Sequence, residues 1–234
     1  NNRGWAIDAE NGRIRWEVPG IPTSAGFAGG ASVAVDDRMA IFPFSSGEII
    51  GTFRQGGLRL WSGAVQGGRL GLAYAQIGDI SAGPVIDGGR IYTGNASGRL
   101  AALDSADGTR LWTANFGLYG PAWPAGGSLF GVTDQGALVR VDAATGELIW
   151  RYQLPYFEDT RARRRKEIVA HHGPVIAGGR VYVASGDRQI RVFDPTNGQI
   201  VGQIPLPDGA AAAPIVANGT MYVLTSDAEL LALR

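Results

Sequence analysis

Leu138-Val-Arg-Val-Asp-Ala-Ala-Thr-Gly-Glu-Leu-Ile-Trp150 decides the fold of this chain. Apolar Val139 and Val141 alternate with polar neighbours, which is the two-residue period of a β-strand. Asp142 can cap a tight turn with its side chain, and a glycine such as Gly146 is free to take the positive φ that such a turn needs. The stretch therefore predicts a β-hairpin whose second strand ends on Trp150.

The same frame returns along the whole chain. Its other copies are Asp8 to Trp16, Asp104 to Trp112, Asp194 to Gly202, where Gly stands in place of Trp, and Phe53 to Trp61, which has lost the Asp. The turn glycines fall at positions 12, 57, 108, 146 and 198, so they are 38 to 52 residues apart. A period in the mid-forties is the length of one four-stranded propeller blade.

The composition favours an all-β protein. The chain has 36 glycines and only 18% charged residues, and its apolar residues alternate in short runs bounded by Gly, Asn or Asp. We predict one β-propeller domain over residues 1–234, with four-stranded blades of which about five are present. The predicted blades lie near residues 1–18, 31–65, 79–115, 120–153, 168–205 and 210–234, with two, four, four, four, four and three strands.

The two incomplete blades lead to an expectation about the whole protein. A closed propeller commonly completes its last blade with a strand from the N-terminus, which removes the free sheet edge. This chain starts on a third strand and ends on a third strand. We expect it to be the C-terminal part of an eight-bladed propeller of roughly 370 residues.

Charge and cysteine content exclude several kinds of site. The chain has 21 basic and 21 acidic residues, so no overall field attracts nucleic acid, and no nucleic-acid partner is expected. It has no cysteine, which excludes disulfides, thiolate catalysis and cysteine-bound metals. Neither a phosphate-binding Gly-rich Lys loop nor a Gly-x-Ser-x-Gly elbow occurs, so no catalytic or cofactor-binding residue is nominated.

The repeated aspartates have two interpretations. A calcium loop of the EF-hand kind needs an acidic residue at its twelfth position. The residues at that position are Pro19, Asn115, Gln153 and Pro205. We therefore interpret these carboxylates as turn caps that accept backbone N–H groups.

The two histidines and the six tryptophans also allow both a functional and a structural interpretation. His171 and His172 are neighbours on a predicted strand, so they point to opposite faces and do not chelate one ion; a structural or partner-contact role is preferred. Four tryptophans, at positions 16, 61, 112 and 150, share one repeat position and are expected to wedge between adjacent blades. Trp123 is the better candidate for an exposed contact, although we expect it to be buried.

One loop breaks the repeat between Leu154 and Ile168. Within residues 158–167 it carries five of the 21 basic residues, Arg161, Arg163, Arg164, Arg165 and Lys166, and it follows Tyr156 and Phe157. A basic run beside aromatics can dock an acidic protein surface or lipid headgroups, and it can equally be a solvated loop. Arg163, Arg164 and Arg165 are candidate partner-binding residues.

The repeat Asp-x-x-x-Gly-x-x-x-Trp resembles that of the pyrroloquinoline-quinone-type (PQQ-like) propellers. Within that superfamily the chain is similar to the BamB family of outer-membrane assembly lipoproteins. The residues that carry this similarity are Ile77 to Tyr92, Gly98 to Asp104, Gly108 to Trp112, Gly47 to Gly51 with Trp61, and the ending Leu230 to Leu233.

The resemblance implies a non-enzymatic scaffold subunit of the outer-membrane β-barrel assembly machinery, located in the periplasm. It implies a protein partner, the periplasmic domains of a BamA-like subunit, and a lipid anchor upstream of this sequence. The contacts that it implies are the turn after a third strand (Leu103, Asp104, Ser105 and Ala106) and a later Gly-Asp turn (Asp187 and Arg188). Ser105 and Ala106 depart from the larger apolar and basic residues that the family can show there.

A quinone-dependent dehydrogenase is the alternative, because the same repeat builds those enzymes. The resemblance implies for them a bound calcium, a catalytic Asp and, in many members, a vicinal disulfide near the cofactor. This chain lacks the cysteines for such a disulfide.

Overall fold

The computed structural model describes residues 2–23, 30–65, 67, 78–158, 163 and 167–234. These described ranges contain twenty-one β-strands and no α-helix, which confirms the all-β prediction and its strand count. In this described part of the chain, no helix has the length and apolar character needed to span a bilayer. The chain divides into two compact units, Asn1–Ala122 and Trp123–Arg234. The prediction of one domain stays a prediction.

The first unit contains three antiparallel sheets. A two-stranded sheet pairs β1 (Arg3–Ile7) with β2 (Ile14–Pro19). The second sheet has the order β3 (Ala34–Val35), β4 (Met39–Pro43), β5 (Glu48–Phe53) and β6 (Arg59–Ala64). The third has the order β7 (Ile80–Asp87), β8 (Arg90–Asn95), β9 (Arg99–Asp104) and β10 (Arg110–Ala114).

The second unit repeats the same up-and-down order. Its first sheet, the fourth of the chain, consists of β11 (Trp123–Ala125), β12 (Ser128–Val132), β13 (Ala137–Asp142) and β14 (Leu148–Gln153). The fifth consists of β15 (His171–Ala177), β16 (Arg180–Ser185), β17 (Gln189–Phe193) and β18 (Ile200–Pro205). The sixth has three strands, β19 (Ile215–Ala217), β20 (Thr220–Leu224) and β21 (Leu230–Leu233).

Each hairpin turn between a third and a fourth strand is closed as the sequence predicts. In the fourth sheet the Gly146 amide donates to the Asp142 carbonyl at 2.9 Å, with Gly146 at a φ of 77°. The Asp142 carboxylate accepts the Ala144 amide at 2.8 Å. The corresponding amides of Glu10, Ala106 and Thr196 donate to their own turn aspartates at 3.0, 2.8 and 2.8 Å. These bonds confirm the interpretation of the repeated aspartates as turn caps.

Three of the repeated tryptophans, Trp16, Trp61 and Trp150, pack on the turn glycines of the following sheet. A Cβ added to Gly57 would lie 2.6 Å from the Trp16 ring, and one added to Gly198 would lie 2.7 Å from the Trp150 ring. Trp150 also donates its Nε1–H to the Pro195 carbonyl at 3.0 Å. These three indoles therefore fit between one sheet and the next, as predicted.

Each unit has its own apolar core. In the first unit, the buried side chains include Ile41, Ile49, Ile91 and Leu103, which form one cluster with Trp61. In the second unit, a cluster contains Phe130, Leu138, Val181 and Phe193. Apart from Trp61 on β6, these residues lie on the second and third strands of their sheets, whereas the fourth strands β14 and β18 have only exposed and half-buried positions.

The up-and-down order gives every four-stranded sheet two different ends. The hairpin end carries the turns between strands one and two and between strands three and four. The link end carries the turn between strands two and three, together with the segments that connect one sheet to the next. In the fifth sheet, Gly178 and Gly179 form a turn at the hairpin end, and residues 186–188 form the turn at the link end.

Candidate partner-binding site

The predicted contact turn of the first unit lies at the hairpin end of the third sheet. Leu103 is 1% exposed, so its side chain packs in the core. Asp104 and Ser105 are half-buried, and Ala106 is exposed. The contact roles of Leu103, Asp104, Ser105 and Ala106 stay predictions.

This turn is rigidly held. The Gly108 amide donates to the Asp104 carbonyl at 2.9 Å, and Ser105 donates its amide to Gly89 at 3.0 Å. The Ser105 carbonyl accepts the Trp61 indole N–H at 3.1 Å. In the same turn, the Thr109 backbone N–H donates to the exposed Asp107 carboxylate and lowers its pKa below the usual value. A partner would therefore meet a preformed turn.

The predicted contact turn of the second unit lies at the link end of the fifth sheet. Arg188 has a φ of 64°, in the left-handed region that side chains other than Gly rarely adopt. At the same position before the third strand, three other sheets have Gly47, Gly98 and Gly136, with φ values of 79°, 108° and 66°. Arg188 thus places a long cationic side chain where most copies of the repeat have none.

Two ion pairs involve the charged side chains of this turn. Arg191 is 7% exposed and donates its Nη1–H to Asp187 Oδ1 at 3.0 Å. Arg188 Nε lies 3.4 Å from Asp208 Oδ1, and its side chain is 65% exposed. The first pair is largely buried, whereas the second keeps its cation accessible to solvent.

Asp187 and Arg188 line an open polar pocket of about 500 Å³. Its other lining residues come from the link before the sheet, the link after it and the turn of the next sheet: Glu158, Gly186, Asp208, Gly209 and Ser226. The structure thus brings together residues that are far apart in the sequence.

Arg191 and Asp208 were missed by sequence reasoning, because nothing in their local pattern signals a partner. Arg188 did leave a signal, since it stands where the aligned turns have Gly.

The two histidines have different partners. His171 places Nδ1 2.7 Å from Ser185 Oγ and Nε2 2.8 Å from the Pro155 carbonyl oxygen. His172 hydrogen-bonds to the Ala210 backbone. Burial is the main cause that lowers the pKa of both rings below the usual value. The two rings therefore have separate hydrogen-bond partners, in agreement with the expected opposite orientations.

The basic loop is described only in part. Its stem pairs Phe157 with Ile168 in an antiparallel bridge, and the Tyr156 and Phe157 rings meet edge to face at 4.9 Å. Arg163 is exposed. Arg164 and Arg165 lie outside the described residues, as do Arg161 and Lys166. The stem residue Glu158 lines the same pocket as Arg188, so the loop starts beside the predicted contact turn.

The expectation that Trp123 is buried was wrong. Its side chain is 38% exposed. It begins β11, a three-residue strand at the edge of its sheet, and pairs across only one side with Phe130. An edge position leaves one side of the ring without a neighbouring strand to cover it.

Two solved structures share this arrangement of sheets. BamB from Moraxella catarrhalis superposes with a TM-score of 0.82 over 99% of this chain and 66% of that chain, at 19% identity. The quinohemoprotein alcohol dehydrogenase ADHIIG from Pseudomonas putida HK5 superposes with a TM-score of 0.66 over 94% of this chain and 47% of that chain, at 16% identity. At these identities the likeness shows the fold alone. The repeated sheets are thus blades of a β-propeller.

The sequence comparisons select one family. A family model described as "Outer membrane protein assembly factor BamB" matches residues 1–152 and 158–234. The factor of that name from Legionella pneumophila (strain Paris) is 23% identical over 211 residues, which are 90% of this chain and 52% of that relative. The one from Pseudomonas aeruginosa is 25% identical over 198 residues, 83% of this chain and 49% of that relative. The chain belongs to the outer membrane protein assembly factor BamB family, and it spans about half the length of these relatives.

Proposed function

We propose that this chain is part of a non-enzymatic scaffold subunit of the outer-membrane β-barrel assembly machinery. It acts in the periplasm, at the outer membrane, where it binds the periplasmic domains of a BamA-like barrel assembly subunit. The observation that carries the proposal is the match of the BamB family model to nearly the whole chain, residues 1–152 and 158–234. The scaffold works by geometry: packed blades hold rigid turns in place, and the turns bind the partner.

The link end of the fifth sheet supplies the strongest contact candidate. A left-handed conformation at a residue other than Gly carries a cost of about 1 kcal/mol or more, and such strain is often retained for function. Arg188 carries this strain, and its side chain is 65% exposed and lines the 500 Å³ pocket. Arginine is also enriched at the energetic centres of protein interfaces. Arg188 is therefore the residue whose loss should weaken partner binding most.

The structure offers a matched pair of substitutions for this contact. Arg188→Gly introduces the residue that three other sheets have at the same position, so the fold should be retained while the cation is removed. Ala228→Gly is the control, because Ala228 is exposed and holds the same position in the sixth sheet with a φ of 63°. Calorimetric titration with the partner's periplasmic domains should show binding weakened about tenfold or more by Arg188→Gly and unchanged by Ala228→Gly. Equal affinities for both variants would remove Arg188 from the interface.

The turn at residues 104–106 is tested separately. Ala106 is exposed and lies two residues after the capping aspartate, as does Ala144 in the fourth sheet. Ala106→Arg should weaken binding if this turn contacts the partner, and Ala144→Arg is the control for a bulky cation at an equivalent turn. If neither variant affects binding, the turn at residues 104–106 is not part of the interface.

The non-enzymatic part of the proposal has its own measurement. The turn aspartates are engaged with their own backbone amides, as at Asp104 and Asp194. Adding pyrroloquinoline quinone and calcium should give neither a bound chromophore in the visible spectrum nor dye-linked alcohol oxidation. A bound quinone with alcohol oxidation would favour the dehydrogenase alternative instead.

A further inference from the structure

The fifth sheet departs from the other sheets at two positions near the same turn. One is Arg188, which takes the left-handed conformation with a φ of 64°. The other lies three residues later on β17, where Arg191 is 7% exposed. At this second position the other sheets have apolar residues, namely Ile50, Ala101, Val139 and Leu231. A long cationic side chain at the left-handed position and a buried arginine three residues later thus occur together.

The Arg191 guanidinium joins the two sides of this turn. Its Nη1–H group donates to Ser185 Oγ at 3.2 Å and to Asp187 Oδ1 at 3.0 Å, and its Nη2–H group donates to Asp187 Oδ2. A two-pronged pair between a guanidinium and a carboxylate fixes orientation as well as charge. Asp187 directly precedes Arg188 in the chain, so the pair holds one side of the left-handed residue against the strand that follows it.

We propose that Arg191 is a positioning residue, which holds Asp187 and thereby presents the Arg188 side chain to the partner in one preset orientation. A left-handed conformation costs about 1 kcal/mol at a residue other than Gly, so an unbraced turn would spend part of its time in other conformations. A preset side chain loses less conformational entropy when it binds. Because Arg191 is buried, it acts through Arg188. The inference rests on the proposed function, in which Arg188 contacts the partner.

The sixth sheet shows how such a turn is held without an arginine. Ala228 is left-handed there, and its amide donates to the Thr225 carbonyl at 3.1 Å. The Thr225 hydroxyl accepts the Glu229 amide at 3.2 Å, so it caps the turn locally. Ser185 holds the equivalent position in the fifth sheet, and its hydroxyl accepts from Arg191. The arginine therefore braces the turn from the neighbouring strand.

The free protein provides the first test, by NMR of the variant Arg191→Lys. Lysine keeps a cation beside Asp187 and loses the two-pronged geometry. A positive φ brings the amide proton and Hα of the same residue close together, so residue 188 should give a strong NOE between them that weakens in Arg191→Lys. Arg180→Lys is the control, because Arg180 pairs with Asp194 at the hairpin end of the same sheet, 3.8 Å away. An unchanged NOE in Arg191→Lys would overturn the positioning role.

A double-mutant cycle with the partner's periplasmic domains provides the second test. Arg191→Lys should weaken binding about threefold or more in the wild-type background and less than about 1.5-fold in the Arg188→Gly background. Glycine takes the left-handed conformation without strain, and no side chain remains to be oriented. Equal losses in both backgrounds would overturn the positioning role. If Arg188→Gly leaves binding unchanged while the NOE weakens in Arg191→Lys, the proposed contact fails and the brace of the free turn stands.

A second variant keeps the test decisive if Arg191→Lys does not fold. Asp187→Asn keeps the size of the side chain and removes the charge that Arg191 holds, so it should show the same dependence on Arg188 in the binding cycle. A direct partner contact by Asp187 would instead weaken binding equally in the wild-type and Arg188→Gly backgrounds. That result would contradict the positioning role.

Discussion

The indole of Trp61 lies against Gly108, and a Cβ added to that glycine would stand 2.5 Å from the ring. Gly108 also has a φ of 75°, so it is required twice, once for its conformation and once for the space that the indole occupies. The contact joins β6 of one sheet to the hairpin turn of the next. It explains why the sequence repeats Gly and Trp together.

Gly108→Ala should therefore destabilise the protein far more than the same substitution at Gly12. Gly12 occupies the same turn position with a φ of 72°, but an added Cβ there would meet nothing within 4 Å. The conformational penalty of about 1 kcal/mol is common to both, and the clash should add about 1–3 kcal/mol at Gly108 alone. Denaturant unfolding measures the difference. Equal losses would mean that the indole does not need the space.

The capping aspartates should contribute modestly to stability. Asp142→Ala removes the acceptor of the Ala144 and Thr145 amides, which lie 2.8 and 2.9 Å away, and should lower the free energy of unfolding by about 1 kcal/mol. The turn itself should persist, because the copy at Phe53 lacks the carboxylate and still closes with a bond of 2.9 Å from Gly57. Chemical shifts of the Gly146 amide report on the turn. Their collapse in the variant would contradict this prediction.

The two ion pairs near the candidate contact should differ in their effect on stability. Asp187→Ala leaves the guanidinium of Arg191, which is 7% exposed, without its carboxylate and should destabilise by about 3 kcal/mol. Asp208→Ala breaks a pair whose arginine is 65% exposed, which should change stability by less than about 1 kcal/mol. Thermal unfolding of both variants measures the two losses of stability. A larger loss of stability for Asp208→Ala would contradict the conclusion that Asp187 and Arg191 form the buried pair.

Stability should decrease as the pH falls below about 6.5, the usual pKa of histidine. The pKa values of His171 and His172 are lowered in the folded chain, chiefly by burial. On acidification the unfolded chain takes up protons first, so stability is complete above about pH 6.5 and is lost as the pH falls toward the folded-state values. Urea midpoints at pH 7.5, 6.5 and 5.5 should decrease in that order. The double variant His171→Gln with His172→Gln should flatten this trend, and a rising midpoint would contradict it.

The sequence predicted the sheets well because their information is local. Val139 and Val141 alternate within one strand, and the Asp142 cap and Gly146 turn lie within five positions, so period and turn chemistry suffice. The position of Trp150 on the following sheet could also be predicted, since it repeats with the turns. The exposure of Trp123 was harder to predict. It follows from the position of Trp123 in the edge strand β11, which no local pattern indicates.

The candidate contact surface could be predicted only in part, because it is assembled from distant segments. Arg191, Asp208 and Glu158 meet Asp187 and Arg188 only through the order of the strands and links. The resemblance led to Leu103, whose side chain is buried, since matching positions along a chain does not distinguish the faces of a strand. Comparing the turns with one another would have singled out Arg188.

The central claim is that this propeller binds a barrel assembly subunit through the link end of its fifth sheet. Its most direct test is a photo-crosslinking amino acid placed at Arg188 or at Arg180 of the full-length protein in living cells. Arg180 begins β16 at the hairpin end of the same sheet, whereas Arg188 follows that strand at the link end. Arg180 is also exposed, with its pairing carboxylate 3.8 Å away, so it controls for surface reactivity. We predict a crosslinked product with the BamA-like subunit from position 188 and none from position 180. A product from position 180 alone, or from neither position, would contradict the account.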